Sequence, residues 1–414
     1  MIFTFFSVAG LPATDDVISD GINEILRSCG FRNVAVLTAG DNIFITYENY
    51  DYRFEPDAIN AVLKKVFSVI SGNPHFKVLI LIPQRQQVPV IAIVVPLNKY
   101  AEGEGKEIKS GNLKEEIRIT AEIEDYWGRL KLLPKNNSSI SNLDISIEPR
   151  LRFQLGDYDY PFKYQFSLLP ELSTSLWKGM RLSFQLFIPV INSHYVDKFN
   201  YLGPGLVTLN QFFRLPEGIL ANLTVGYFSR NRYGIDLEAG KYFFNDKIFF
   251  SFNAGFTGYA AFLKKGSAGI SLDTVQHATF EYGALDYLTY RGSISCMPGI
   301  YDLSLDITFG RYLYNQKAIE IFLNRQFNEY DFSLIVSLTR EGANFGFGMR
   351  IPVYPPKYLS NKKIRIRPSE YFNYSYLATG NFTYYYETGN KFYSWIKNFN
   401  PYFVKNQLKS ELKY

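Results

Sequence analysis

Ala221-Asn222-Leu223-Thr224-Val225-Gly226-Tyr227 alternates apolar with small or polar residues without a break. Successive strand side chains point to opposite faces, so this stretch predicts a strand with one greasy wall and one small, polar wall. The next segment keeps the pattern, with Tyr233, Ile235, Leu237 and Ala239 against Gly234, Asp236, Glu238 and Gly240. Phe250, Phe252, Ala254 and Phe256 then oppose Ser251, Asn253, Gly255 and Thr257. After Gly299 the alternation returns: Tyr301, Leu303, Leu305, Ile307 and Phe309 in one segment, Phe332, Leu334, Val336 and Leu338 in another, and finally Phe345, Phe347, Met349 and Ile351.

Segments of this kind lie near 143–155, 161–176, 179–190, 205–215, 219–229, 232–243, 247–260, 285–296, 300–313, 317–326, 330–340 and 342–353. The 285–296 segment is the weakest, with clean parity only from Leu288 onward. A soluble antiparallel sandwich also alternates, but its solvent face usually carries Lys, Glu and Arg. Here that face is rich in Gly, Ser, Thr and Asn, and aromatics gather near strand ends (Tyr227, Phe228, Tyr242, Phe243, Tyr312, Tyr314). A lumen with a lipid-facing wall and interfacial belts has that composition. The predicted fold is mainly β: an antiparallel transmembrane β-barrel of about 12 strands over residues 142–353, preceded by a small α/β domain. Short turns at Lys178-Gly179, Asn245-Asp246 and Glu341-Gly342, and longer connections through Asn192–Pro204 and Leu263–Glu281, suit the two ends of a barrel.

Composition agrees with this reading. Hydrophobic residues make up 47% of the 414, an ordinary value behind which a barrel hides, because only every second residue faces lipid. Aromatics reach 17%, with 36 Phe and 32 Tyr against 3 His. Net charge is +5 with the signs mixed, which gives no basis for a nucleic-acid partner. The one basic run, Lys362-Lys363-Ile364-Arg365-Ile366-Arg367, reads as a solvated strand or tail. Cys29 and Cys296 lie in different segments, so neither a disulfide framework nor a thiolate metal site is expected. No run approaches the roughly 18–20 apolar residues of a membrane helix. The start, Met1 to Ala13, is apolar without a positive n-region and makes a poor signal peptide. An outer-membrane protein requires one, so the expectation is a truncated start or a piece of a longer polypeptide.

Residues 1–130 predict a small periplasmic α/β domain of αββαββ order. Asp15 or Asp16 caps a first helix carrying Val17, Ile18, Ile22, Ile25 and Leu26, with Gly30 as its stop. Strands follow at Val34–Leu37 and Ile43–Tyr47. A second helix opens at Phe54-Glu55-Pro56-Asp57, presents Ile59, Val62, Leu63, Val66, Phe67 and Ile70, and ends at Gly72-Asn73-Pro74. Phe76–Pro83 and Val88–Pro96 are continuous apolar runs, as in strands buried on both faces. Lys99–Lys114 reads as a linker, and Trp127 to Leu133 as one further strand. Residues 354–414, rich in Tyr, Phe and Asn, form a tail with a short helix after Pro401. The tail either plugs the lumen or begins a further domain.

No catalytic constellation emerges. His75, His194 and His277 read as surface or loop histidines, and no phosphate loop, serine elbow, metal cluster or cofactor motif appears. By parity Glu148, Arg150, Arg152, Arg181, Arg214, Asp236, Glu238, Asp306, Glu320 and Arg350 point inward as candidate ligand-binding residues. They either brace the lumen as salt bridges or contact a glycan.

Two stretches carry a family resemblance. Tyr47-Glu48-Asn49-Tyr50-Asp51-Tyr52-Arg53 with the helix that follows, and Gly226 to Gly240, resemble elements of the YjbH/GfcD-like exopolysaccharide proteins. Arg350-Ile-Pro-Val-Tyr-Pro-Pro356 and Arg365 to Tyr374 are similar to the way their barrel ends. The resemblance implies an outer-membrane barrel with a periplasmic α/β domain, serving secretion of capsule or exopolysaccharide. Its implied partners are outer-membrane lipids, the polysaccharide, and periplasmic or outer-membrane export components. This sequence departs from the pattern in placing Tyr50 where Arg is usual, in lacking a lipobox cysteine, and in holding one barrel where some members hold two. The alternatives are a general solute porin or a surface-adhesin barrel; an outer-membrane enzyme is disfavoured for want of an acid–base pair.

Overall fold

The computed structural model describes residues 13–70, 75–97, 117–156, 158–195, 202–264, 278–299, 302–359, 363–378 and 383–411. Its amino-terminal part contains α1 (Ala13–Ser28), β1 (Arg32–Ala39), β2 (Asn42–Glu48), α2 (Glu55–Ile70), β3 (Val78–Arg85), β4 (Val88–Pro89), β5 (Ala92–Pro96), β6 (Arg118–Thr120) and α3 (Glu124–Leu130). The sheet order is β1-β2-β3-β5-β6, with β4 beside β3. Only β2 and β3 pair in parallel, because α2 carries the chain back across the sheet between them.

The continuous apolar runs have their explanation in two covered faces. Ile43, Ile45, Leu79 and Leu81 join Ile22 and Leu26 of α1 and Ile59, Val62 and Val66 of α2 in one core. The alternate residues Phe44, Ile80 and Ile82 join Ile123 and Leu130 on the other side. Val17, expected on the apolar face of α1, is instead exposed. The stretch holding Trp127 is the helix α3, not a strand, and the additional strand is β6. The Val88–Pro96 run breaks at Val90 and Ile91 into β4 and β5. The Gly72-Asn73-Pro74 stop, the whole Lys99–Lys114 linker, the Met1–Pro12 start and His277 lie outside the described residues.

The remainder is one 14-stranded sheet. Its strands are β7 (Leu143–Leu155), β8 (Phe162–Thr174), β9 (Met180–Ser193), β10 (Gly203–Arg214), β11 (Leu220–Phe228), β12 (Arg232–Phe243), β13 (Ile248–Lys264), β14 (Ala278–Cys296), β15 (Leu303–Arg311), β16 (Lys317–Phe327), β17 (Tyr330–Thr339), β18 (Gly342–Pro352), β19 (Ile364–Pro368) and β20 (Tyr371–Leu377). From β7 to β18 each strand pairs with its sequence neighbour, and these twelve coincide with the twelve alternating segments. The count of about 12 is corrected to 14 by β19 and β20, which come from the tail. The parity lapse before Leu288 also has a cause: the register between β13 and β14 shifts at Thr257/Gly258 and again at Gly258/Ala260.

β19 and β20 are halves of one stretch, separated only by Ser369 and Glu370. β19 pairs in parallel with β7, and β20 pairs with β18. The Ser369 amide donates to Ile147 of β7 (2.8 Å), and the Val353 amide, just past β18, donates to Glu370 (3.1 Å). The Phe153 ring of β7 stacks on Tyr374 of β20 at 4.6 Å. A single segment therefore touches both the first and the last of the twelve strands.

Burial in this sheet runs opposite to that of a water-soluble protein. Thr224, Thr257 and Ser337 are fully buried, and Asn222, Asp236, Asp306 and Asn344 nearly so. On the opposite face Leu334 is 62% exposed and Phe345 60%, with Ile235, Phe252, Phe256, Phe309 and Phe332 also exposed. Each of these half-exposed apolar side chains would forfeit in water about half of the 1.5–3 kcal/mol that full burial supplies. Among the described residues no helix is long and apolar enough to cross a membrane; the chain's apolar exposure is on strands.

Candidate functional site

The buried polar face is occupied by the end of the chain. Residues 383–411 include α4 (Phe392–Asn398) and α5 (Pro401–Glu411), the latter being the helix expected after Pro401. Side chains from Thr383 to Lys397 meet the inward residues one by one, whereas α5 packs on α2 and β6, with Val404 and Leu408 in the core of the amino-terminal domain. Tyr386 donates its hydroxyl to Asp236 (2.6 Å), and Asn253 donates to the same carboxylate (2.9 Å). Asn390 donates to Glu238 (2.7 Å). Arg150 bridges Glu148 (2.9 Å) and Glu387 (3.0 Å). Thr383 and Tyr312 both donate to Glu320. Lys397 of α4 pairs with Asp331 (3.0 Å), and Arg350 reaches Ser394 (3.4 Å) while lying over the Tyr371 ring. Gly255 makes room for this packing: a Cβ there would sit 1.5 Å from the Tyr386 hydroxyl oxygen.

The ten inward candidates thus divide into groups. Glu148, Arg150, Asp236, Glu238, Glu320 and Arg350 gather around the tail. Arg152 shares the inward wall of β7 with Glu148 and Arg150. Asp306 accepts from Asn324 (2.6 Å) and Ser295 within the sheet and also from the Tyr393 hydroxyl of the tail. Arg181 pairs with Glu171 (2.9 Å) near the end of the sheet that carries the amino-terminal domain. Arg214 leaves the interior: it donates to Glu124 (3.0 Å), to the Val90 carbonyl (3.1 Å) and to the Ala121 carbonyl, all in that domain. Parity puts Asn253 on the polar wall without naming it as a candidate, and passes over Glu171, Asn324 and Asp331, although each lies on the inward wall and is open to the same reasoning. The tail partners Tyr386, Glu387, Asn390 and Lys397 carry no period that could have revealed them.

The histidines sit apart from this network. His194 stacks on Tyr160 at 3.7 Å, and His75 lies edge-on to Phe76. No group of three or more His, Cys, Asp or Glu among the described residues is arranged to hold a metal ion.

The second centre is the seam between the domain and the sheet. The domain touches the connections at one end of the sheet in turn. The Gly179 amide donates to the Gln86 carbonyl (2.8 Å), and Arg214 reaches β5 and α3 as above. Asp246 accepts from the Ala121 amide (3.2 Å), and Phe54 packs with Met297 and Phe403. Gly179 has φ +80, and a Cβ there would lie 2.2 Å from the Phe212 carbonyl oxygen, so only glycine permits the approach.

The Tyr47–Arg53 stretch closes the seam. Arg53 forms a bidentate pair with Glu329 of the β16–β17 turn (2.5 and 2.8 Å) and donates to the carbonyls of Val353 and Pro355. Glu48 accepts from Asn33 and Ser139, and burial pushes its carboxyl pKa up. Burial raises Glu55 further, to about 8, despite a hydrogen bond from Asn49. The Tyr50 ring lies between two guanidiniums, Arg32 at 5.2 Å and Arg365 at 4.0 Å. An arginine there would bring a third cation into that space. The ring attracts both. Arg365 and Arg367 are not solvated, as the basic run had suggested: both clamp Asp144 of β7, at 2.7 and 2.9 Å, and Arg367 is buried.

A family model described as exopolysaccharide biosynthesis protein YbjH matches residues 10–339. The chain belongs to the YjbH family. No curated protein and no solved structure matches it. The YjbH match takes in the amino-terminal domain, the Tyr47–Arg53 stretch and β7–β17. In this YjbH protein β18, β19, β20 and the tail that meets the polar face lie beyond the matched residues.

Proposed function

We propose that this chain is a non-enzymatic outer-membrane β-barrel that assists exopolysaccharide or capsule biosynthesis and export. The observation that carries the proposal is the inverted sheet, apolar outward and polar inward, which suits a wall of lipid. Closure would run through the 364–377 stretch, whose first half pairs with β7 and whose second half pairs with β18, and a barrel closed in that way would protect its edges. Trp177, Phe213, Phe243, Phe244, Phe327 and Tyr330 are exposed at the domain-facing end, as a belt at a membrane interface would be.

Orientation follows from loop length. At the domain-facing end the connections include 244–247 and 328–329; from β7 to β18 the two longest strand-to-strand gaps, between β9 and β10 and between β13 and β14, open at the far end, where the turns 229–231 and 340–341 are short. Barrels of this class keep short turns in the periplasm and long loops outside, so the amino-terminal domain faces the periplasm. There it is available to export components. The lumen residues are engaged with the tail, which favours a supporting barrel over an open conduit or a general porin. The same engagement gives the inward carboxylates a bracing rather than a catalytic use.

Deleting the gene in a strain that makes exopolysaccharide should lower surface polysaccharide, with recovery on complementation. An unchanged amount would refute the assignment.

A further inference from the structure

We propose that the cavity between the amino-terminal domain and the sheet binds one small anionic group, a carboxylate or a phosphate. The cavity measures about 110 Å³ and is lined by Tyr50, Glu55 and Arg85 of the domain and by Asn142, Tyr358 and Asn398 from beyond it. Drug-sized pockets run to roughly 300–1,000 Å³, so this one admits a single group and not a polymer.

The charges around it leave one cation over. Arg53 is paired with Glu329 and Arg181 with Glu171, while Arg365 and Arg367 share Asp144 and Glu370, the latter 3.6 Å from Arg367. Arg85 has no carboxylate within 4 Å among the described residues; its guanidinium lies 5.9 Å from the centre of the Trp395 ring. Burial lowers its pKa, the mark of a desolvated cation whose neighbours only partly compensate it.

Hydrogen-bond donors point the same way. The hydroxyls of Tyr50 and Tyr358 and the amide nitrogen of Asn142 are buried without a hydrogen-bond partner, as are Asn398 Oδ1 and Glu55 Oε1, so the site can also accept the proton of a partly protonated anion. Buried polar groups are normally paired, so three orphan donors around one unpaired guanidinium call for an acceptor, and a negative one. Glu55 does not oppose it. With its pKa near 8 this carboxyl is mostly protonated at neutral pH and offers a proton instead of a charge. Glu48 accepts from Asn33 and Ser139 through one carboxylate oxygen and offsets only part of the Arg85 charge, with no ion pair between them. The Glu48–Glu55 segment, which also locks the domain to the sheet, supplies Tyr50 and Glu55 to the site, and Arg85, Asn142 and Tyr358 come from elsewhere. The inference stands apart from the proposed export role, since it needs only the junction.

The test is isothermal titration of the full chain in detergent, at constant ionic strength, with inorganic phosphate, glucuronate and glucose. Wild type, Arg85→Gln and Tyr50→Phe are compared. The expected result is saturable one-to-one binding of phosphate or glucuronate, none of glucose, and a loss of about tenfold or more in each variant. Stronger binding of phosphate would identify a phosphate group as the occupant, and stronger binding of glucuronate a sugar acid. Tyr50→Phe keeps the ring between its two arginines, so it decides the matter even if Arg85→Gln fails to fold. Absence of saturable binding by either anion, equal binding of glucose, or wild-type affinity in the folded variants would overturn the proposal.

Discussion

Arg53→Ala should weaken the docking of the amino-terminal domain by about 3–5 kcal/mol, the usual cost of breaking a buried ion pair from one side. The Arg53 side chain is 5% exposed and that of Glu329 9%, so neither is screened by water. The guanidinium holds both carboxylate oxygens and reaches the carbonyls of Val353 and Pro355 as well. Alanine would strand a buried carboxylate in the β16–β17 turn and leave those contacts unmade. Arg53→Lys should recover only part of the loss, because an ammonium keeps the charge but not the planar fork. Hydrogen exchange checks this. Amides near residues 51–55 and 353–358 should exchange faster in Arg53→Ala, with β11 to β13 unchanged. Wild-type exchange at the seam would show that the pair does not hold the domain.

If the sheet forms the proposed barrel, removing residues 383–414 should raise its single-channel conductance. That segment supplies Tyr386 to Asp236, Asn390 to Glu238, Glu387 to Arg150 and Thr383 to Glu320. Without it these groups would face water, where charged side chains are well solvated and a hydrated path is stable. Single-channel recording in planar bilayers should show stable openings for the truncated chain and few for the full one. Gly255→Leu should act in the same direction with a single change, since its side chain would occupy the seat of the Tyr386 hydroxyl. Equal conductance with and without the tail would mean that the segment does not obstruct the lumen.

The difference between what the sequence disclosed and what it hid follows from range. β7 to β18 were legible because parity is a local property and each strand pairs with its neighbour. β19 was not, because its partner Asp144 lies 221 residues from Arg365 and the pairing is parallel. Two arginines alternating with isoleucines look solvated until an aspartate is placed beneath them. The α/β layout was readable from continuous apolar runs, whereas the seven-residue helix around Trp127 is too short to display a period. Parity also placed the candidate side chains on the inward wall. It could not tell that Arg214, at the last position of its strand, would turn toward the domain, nor that Asp236 and Glu238 would be met by a tail some 150 residues away.

The central claim is that the apolar face of the sheet meets lipid and the polar face does not. Single cysteines at each position from 249 to 257 of β13, carrying spin labels in reconstituted vesicles, test it most directly. Collisions with dissolved oxygen, which concentrates in the bilayer, should alternate with a period of two residues. They should be high at Phe250, Phe252, Ala254 and Phe256 and low at Ser251, Asn253, Gly255 and Thr257. A flat profile, or oxygen exposure on the polar set, would contradict the account.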